Sequence, residues 1–216
     1  MEIRRTANAG VLLTLDDTKI LLDGVCREVN SYPATPRKIA EQLMQYPPDV
    51  LLFTHCHPDH FDPVLTRQFA KPVYGPAQLS EQMDCKISAD TDLRVGQLRI
   101  RAIPTRHMGH YGKTTQHQSY VVEGSQILWF MGDASPMELK KLPSYPKPDV
   151  LLVPYPYIST PAAMKLVEQL LPCKIVLLHL PAKENDPEGI WQSIETGLAY
   201  LKDYLFVPEL GETLNF

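Results

Sequence analysis

Residues 55 to 60 read His-Cys-His-Pro-Asp-His, and the apolar run Asp49-Val50-Leu51-Leu52-Phe53-Thr54 leads straight into them. The run has the length and composition of a buried strand. A chain built this way brings a strand to its end and delivers three imidazoles and a carboxylate there. Such a group is costly in a core and unusual on a solvated loop. Neutral imidazole and carboxylate suit zinc and other first-row divalent ions. A tight turn after Thr54 can aim His55 and His57 at one ion, and Asp59 and His60 at a second beside it. Cys56 sits between two of these residues. On an extended segment its side chain points opposite to theirs, so it reads as a bystander rather than a thiolate ligand.

Three further strand ends carry ligand-type residues. Gln97 to Ile103 alternates polar and apolar like a half-buried strand and ends in Pro104-Thr105-Arg106-His107-Met108-Gly109-His110. Ser119 to Val122 and Gln126 to Met131 flank the hairpin signal Glu123-Gly124-Ser125, and the second run leads into Gly132-Asp133-Ala134. Lys174 to Leu178 leads into His179-Leu180-Pro181. Taken singly, His179 reads as a structural histidine, Asp133 as a turn residue and His107 as a loop residue. Their common order and strand-end placement argue against three coincidences.

Other segments supply the scaffold. Gly10 to Leu15 and Lys19 to Leu22 around Asp16-Asp17-Thr18 form an expected hairpin that ends at Asp23-Gly24. Helices are expected over Thr35 to Tyr46, with Thr35 as N-cap and Pro36 first, and over Asp62 to Ala70, with Asp62 as cap. Gln78 to Met83 suggests a short helix. Asp149 to Val153 is another buried strand, Thr160-Pro161 opens a helix to about Leu170, and Ile190 to Leu201 forms the last long one. Runs such as Leu-Leu-Phe cannot leave a sheet face in water, so helices must cover the outer faces. Periodicity thus reaches a layered α/β architecture.

The 216 residues, 44% of them hydrophobic, suit one globular domain or two tightly fused halves. A net charge of −4 argues against a nucleic-acid partner. Met1-Glu2-Ile3-Arg4-Arg5 does not open a signal peptide, and no apolar stretch approaches the ~20 residues of a membrane span. The expectation is a cytoplasmic protein without membrane association. Cys26, Cys56, Cys85 and Cys173 form no Cys-x-x-Cys pair and read as reduced thiols.

His55-x-His57-x-Asp59-His60 resembles the signature of the metallo-β-lactamase superfamily of hydrolases, and the order cluster, histidine, Gly-Asp, strand-histidine is similar to that family's ligand series. The resemblance implies an α/β (α+β in some schemes) four-layer αββα sandwich, forming a single domain over residues 1–216. The site would lie at one edge of the sandwich, where strand ends meet. By the same resemblance, His55, His57 and His107 hold a first metal, Asp59, His60 and His179 a second, and Asp133 bridges them. The cofactors implied are two divalent ions, zinc first, with manganese or iron also suited. A hydroxide shared between them would be the nucleophile, and Asp59 would orient it as a catalytic residue. Asp23 matches a position that supports the ligands, although a turn role serves equally well.

His107 is the expected third ligand rather than His110. Pro104 stiffens the chain before His107, whereas Gly109 loosens it before His110. Candidate substrate contacts are Arg106, His110, His117, Tyr155 and Tyr157. Lys113 and Lys183 lie near ligands in sequence, yet solvated lysines are the commoner explanation. The unreplaced histidines differ from the redox di-iron branch of the family. The chain most resembles a small branch near ascorbate-phosphate lactonase and N-acyl-phosphatidylethanolamine phospholipase D-like hydrolases. That points to hydrolysis of a small cytoplasmic ester, lactone or phosphodiester. The alternatives are a nuclease acting on RNA or DNA and a non-catalytic metal-binding sensor or scaffold. The expected partner is a small-molecule substrate, and a homo-oligomer is left open.

Overall fold

The computed structural model describes residues 1–83 and 91–216; Cys85 lies outside them. The chain opens with β1 (Glu2–Arg5), β2 (Val11–Leu15) and β3 (Thr18–Leu22), an antiparallel meander. Its β2–β3 turn is the two-residue Asp16-Asp17 link, with φ of 47° and 60°. Both residues in the left-handed region match the right-handed twist of the strands, and aspartate tolerates that region better than most. After α1 (Arg37–Gln45) come β4 (Val50–Leu52), α2 (Pro63–Gln68) and β5 (Val73–Tyr74). The second sheet contains β6 (Asp92–Val95), β7 (Leu98–Arg106), β8 (Gln116–Glu123), β9 (Ile127–Phe130), β10 (Val150–Pro154), β11 (Lys174–Leu178) and β12 (Leu205–Phe206). α3 (Pro161–Glu168) and α4 (Ile190–Tyr200) interrupt it, and β13 (Thr213–Asn215) returns to the first sheet.

The sheets run β13-β1-β2-β3-β4-β5 and β12-β11-β10-β9-β8-β7-β6. Alternate residues of one strand serve two cores. Ile20, Leu22 and Leu52 face Ile100, Tyr120, Phe130 and Val176 between the sheets. Leu21, Leu51 and Phe53 face the other way, against Ile39 and Leu43 of α1 and Phe69 after α2. Trp129, Leu151 and Ile175 pack outward with Val167 of α3 and Ile194 of α4. This is the four-layer αββα sandwich. Among the described residues, no helix is long and apolar enough to cross a membrane.

Strand direction decides what meets at the edge. β3, β4 and β5 are mutually parallel, as are β9, β10, β11 and β12. β7 and β9 are each antiparallel to β8, so they share a direction. The ends of β3, β4, β7, β9 and β11 therefore open on one side, and so does the start of β8.

Two local expectations are corrected. Thr35 does not cap α1: its hydroxyl accepts the Cys26 N–H at 2.9 Å, and the helix begins after Pro36. Pro104 does not end its strand, since β7 continues to Arg106. The β6 pairing reaches only Arg101, which leaves an open edge beyond it where a residue without an N–H does little harm. The expected cap at Asp62 is present, and the helix expected to open at Thr160-Pro161 is capped by Thr160; both side chains accept N–H groups of the first helical turn.

Candidate metal centre

Asp23 closes β3 with a φ of 45° and is wholly buried. One carboxylate oxygen accepts the Thr54 N–H at 2.7 Å. The other accepts the Thr54 hydroxyl at 2.6 Å and His60 Nδ1 at 2.8 Å. With both oxygens engaged, Asp23 orients the residues around it rather than offering itself to an ion. Thr54 has a single hydroxyl proton and gives it to Asp23, so its oxygen accepts His55 Nδ1–H at 2.9 Å. His55 Nε2 is thereby left with its lone pair. His107 Nδ1 donates to the Met108 carbonyl at 2.6 Å, and His57 Nε2 meets Thr115 Oγ1 at 3.2 Å. The imidazoles of His55, His57, His60 and His107 are thus each fixed by one nitrogen while the other faces the site, the arrangement by which outer partners set a metal ligand's tautomer.

Three groups of ligand-type atoms lie close together among the described residues; one of them, Asp23 with His55 and His60, has its carboxylate already engaged by Thr54 and His60, which leaves two clusters free to take an ion. Nitrogens of His55, His57 and His107 lie within 4.8 Å of one another, and so do ligand atoms of Asp59, His60 and His179. His55 Nε2 is 3.1 Å from His57 Nδ1. An ion with zinc–nitrogen bonds of about 2.0–2.1 Å holds tetrahedral neighbours ~3.4 Å apart, so this spacing suits a cation between them. In the second cluster, His179 Nε2 is 3.1 Å from Asp59 Oδ2. Asp133 stands between the clusters, with Oδ1 3.3 Å from His60 Nε2 and Oδ2 3.6 Å from both His107 and His179 Nε2. Buried His60 Nε2 and Asp133 Oδ1 make no hydrogen bond. Orphaned atoms of this kind call for a partner, and these two are of metal-ligand type.

The electrostatics point the same way. Burial pushes the Asp133 carboxyl up, but His179 and His60 outweigh it and hold it well below the usual carboxylate range. Burial opposes a charge on His60, yet Asp133 and Asp23 raise its affinity for a proton well above normal. Burial and the neighbouring imidazoles keep His55 far below the ordinary histidine value. A pocket that draws a proton so strongly between two carboxylates also favours a cation.

The residues of the site, Asp23 as support and the others as donors, come from both sheets. β3, β4 and the turn after it supply Asp23, His55, His57, Asp59 and His60, whereas His107, Asp133 and His179 follow β7, β9 and β11. Gly132 lets the sheets approach. Its φ is 52°, and a Cβ there would lie 2.6 Å from Thr54 Cγ2. Gly132→Ala is expected to lower the unfolding free energy by about 2 kcal/mol, through backbone strain and displacement of Thr54. Urea denaturation measures this, and an unchanged midpoint would show that Thr54 yields freely.

The proposed substrate contacts fall into different places. Arg106 and His110 are exposed, and His110 belongs to neither cluster. His117 is buried beside the first cluster, its ring 5.2 Å from that of His55. Ser119 donates to the Met131 carbonyl, Thr105 to Ser119 and His117 Nδ1 to Thr105, leaving a lone pair on Nε2. Burial holds this imidazole neutral, its pKa lowered to about 3. Tyr155 is half-buried, 6.4 Å from His179 between ring centroids. Tyr157 is a correction: it is 0% exposed in the outer core, its hydroxyl on the Ser135 carbonyl, so it cannot line the mouth. Lys113 is exposed, and Lys183 lies over Trp191. Cys56 joins no ligand cluster and packs against the outer core of the first sheet. Cys26, Cys56 and Cys173 carry no disulfide.

Sequence reasoning missed Tyr32, whose ring meets His179 edge-on at 4.5 Å. It comes from an irregular segment without periodicity, so nothing local signals it. Thr54 and Thr115 were also missed, because their role depends on residues distant in the chain.

A family model described as a beta-lactamase superfamily domain matches residues 2–179. Comparison with curated proteins finds no match. Among solved structures, an isothiocyanate hydrolase from Delia radicum gut bacteria is similar over 100% of this chain and 99% of its own, with TM-score 0.76 and 17% identity. A possible metal-dependent hydrolase from Veillonella parvula DSM 2008 has the same coverage and TM-score at 14% identity. CmlA, a diiron β-hydroxylase from Streptomyces venezuelae, matches 100% of this chain and 54% of its own, with TM-score 0.71 and 14% identity. At these identities the likeness speaks for the fold.

Proposed function

The chain belongs to the beta-lactamase superfamily domain family, and from that premise we propose that it is a metal-dependent hydrolase of a small ester, lactone or phosphodiester. The observation that carries this reading is the pair of ligand clusters joined by Asp133 at one sandwich edge. His55, His57 and His107 would hold one ion, Asp59, His60 and His179 another, and Asp133 both. When bound, such ions activate water near neutral pH and polarise the oxygen of the scissile group.

This chain's own residues do the rest. Asp23 and Thr54 fix His60 and His55, so the ligands need little rearrangement to receive an ion. Asp59, hydrogen-bonded to His179, is placed to accept a proton from attacking water. Tyr32 and Tyr155 stand over the His179 side and can donate hydrogen bonds to substrate oxygens. Zinc is the proposed ion, and manganese or iron fits the same donors.

Elemental analysis after metal loading is expected to give two equivalents per chain, because seven ligands exceed what one tetrahedral ion uses. A ceiling of one equivalent would remove the dinuclear reading. Turnover of bis-p-nitrophenyl phosphate with zinc or manganese, beside a panel of lactones, esters and an isothiocyanate, tests the activity. No turnover across the panel by fully loaded protein would favour a non-catalytic role.

A further inference from the structure

Arg5, at the end of β1, is 7% exposed, and its guanidinium makes three hydrogen bonds, all to backbone carbonyls. Nε donates to Ala7, Nη1 to Pro208 and Nη2 to Asn8. A guanidinium carries five N–H donors, so one remains on each terminal nitrogen. Among the described residues it has no ion-pair partner, and the ionisable group acting on it is the Cys26 thiol, which burial keeps neutral. Buried charges are ordinarily paired, because carbonyl dipoles alone do not replace a counter-ion. Desolvation accordingly lowers the Arg5 pKa to about 10.

The same side chain lines a cavity of about 540 Å³, within the usual size of small-molecule sites. Leu180, Trp191, Leu198 and Val207 give it apolar walls. Lys183, Glu184 and Glu209 are exposed at its rim, and the Lys183 ammonium lies 4.7 Å from the centre of the Trp191 ring. The rim carries mixed charge, and the deep end carries one uncompensated cation. A single guanidinium with two spare donors matches one carboxylate, and the walls match a hydrocarbon tail. A doubly charged phosphate would demand more cations than the deep end offers.

We propose that this cavity binds a small amphipathic carboxylate, its head group paired with Arg5 and its tail against Leu180, Trp191, Leu198 and Val207. The site is separate from the ligand clusters, although Leu180 directly follows His179, so occupancy is felt beside the second cluster.

Calorimetric titration of the metal-loaded full chain with octanoate, octanol and acetate tests the proposal. Octanoate is expected to bind one per chain, at least about tenfold tighter than octanol, which lacks the charge, or acetate, which lacks the tail. Arg5→Met should weaken octanoate at least about tenfold, and Leu198→Trp, which fills the cavity and leaves Arg5 in place, should do the same. Should Arg5→Met fail to fold, Leu198→Trp decides alone. Absence of saturable binding overturns the proposal. So does binding that survives Leu198→Trp and disappears on metal chelation, which would place the carboxylate on the ions instead.

Discussion

Asp133→Ala is expected to reduce hydrolysis by on the order of a thousandfold, about 4 kcal/mol of transition-state stabilisation. Bound metal should fall below two equivalents in the same variant. The reason is placement. Among the described residues, Asp133 is the one carboxylate whose oxygens face imidazoles of both clusters, at 3.3 Å from His60 and 3.6 Å from His107 and His179. Without it, two cations would face each other across neutral imidazoles with no shared negative charge. Asp133→Asn keeps the shape and removes the charge, so it separates electrostatics from packing. Turnover and stoichiometry near wild type in both variants would remove Asp133 from the centre.

Asp59→Ala should behave differently. Its carboxylate bonds His179 and takes no part in the His55, His57, His107 cluster. Turnover is expected to fall by a hundredfold or more, in the range assigned to general acid–base groups, about 10²–10⁴. One equivalent of metal should remain on the three histidines. Parallel elemental analysis and kinetics read the two effects apart. A variant that loses both equivalents shows Asp59 acting mainly as a scaffold for binding, and one with near wild-type turnover has no catalytic Asp59.

The centre was largely legible because its residues punctuate strands. His55 to His60, His107, Asp133 and His179 each follow an apolar run closely, and a strand end is a position that sequence marks. The helix cap at Asp62 and the helix start at Thr160-Pro161 were equally local. What stayed hidden depends on partners far along the chain. Thr35 has every local mark of an N-cap, yet Cys26 claims its hydroxyl. Pro104 looks like a terminator until the short partner β6 shows that its edge is open. Tyr157 follows a strand just as Tyr155 does, but a 3₁₀ turn over Tyr155–Tyr157 sends one ring towards His179 and the other into the core. Nothing local to Arg5 marks it as enclosed, since part of its enclosure comes from the segment around Pro208, about two hundred residues away.

Each ligand cluster draws on both sheets, His107 joining His55 and His57, and His179 joining Asp59 and His60. Since unfolding separates the sheets, it must also release whatever the clusters hold, and binding free energy becomes folding free energy. Every tenfold rise in free ion should then add about 1.4 kcal/mol of stability per occupied cluster until the unfolded chain competes for it. Melting temperature recorded against a graded chelator would therefore serve as a gauge of free metal, reading the occupancy of the centre before any substrate is known.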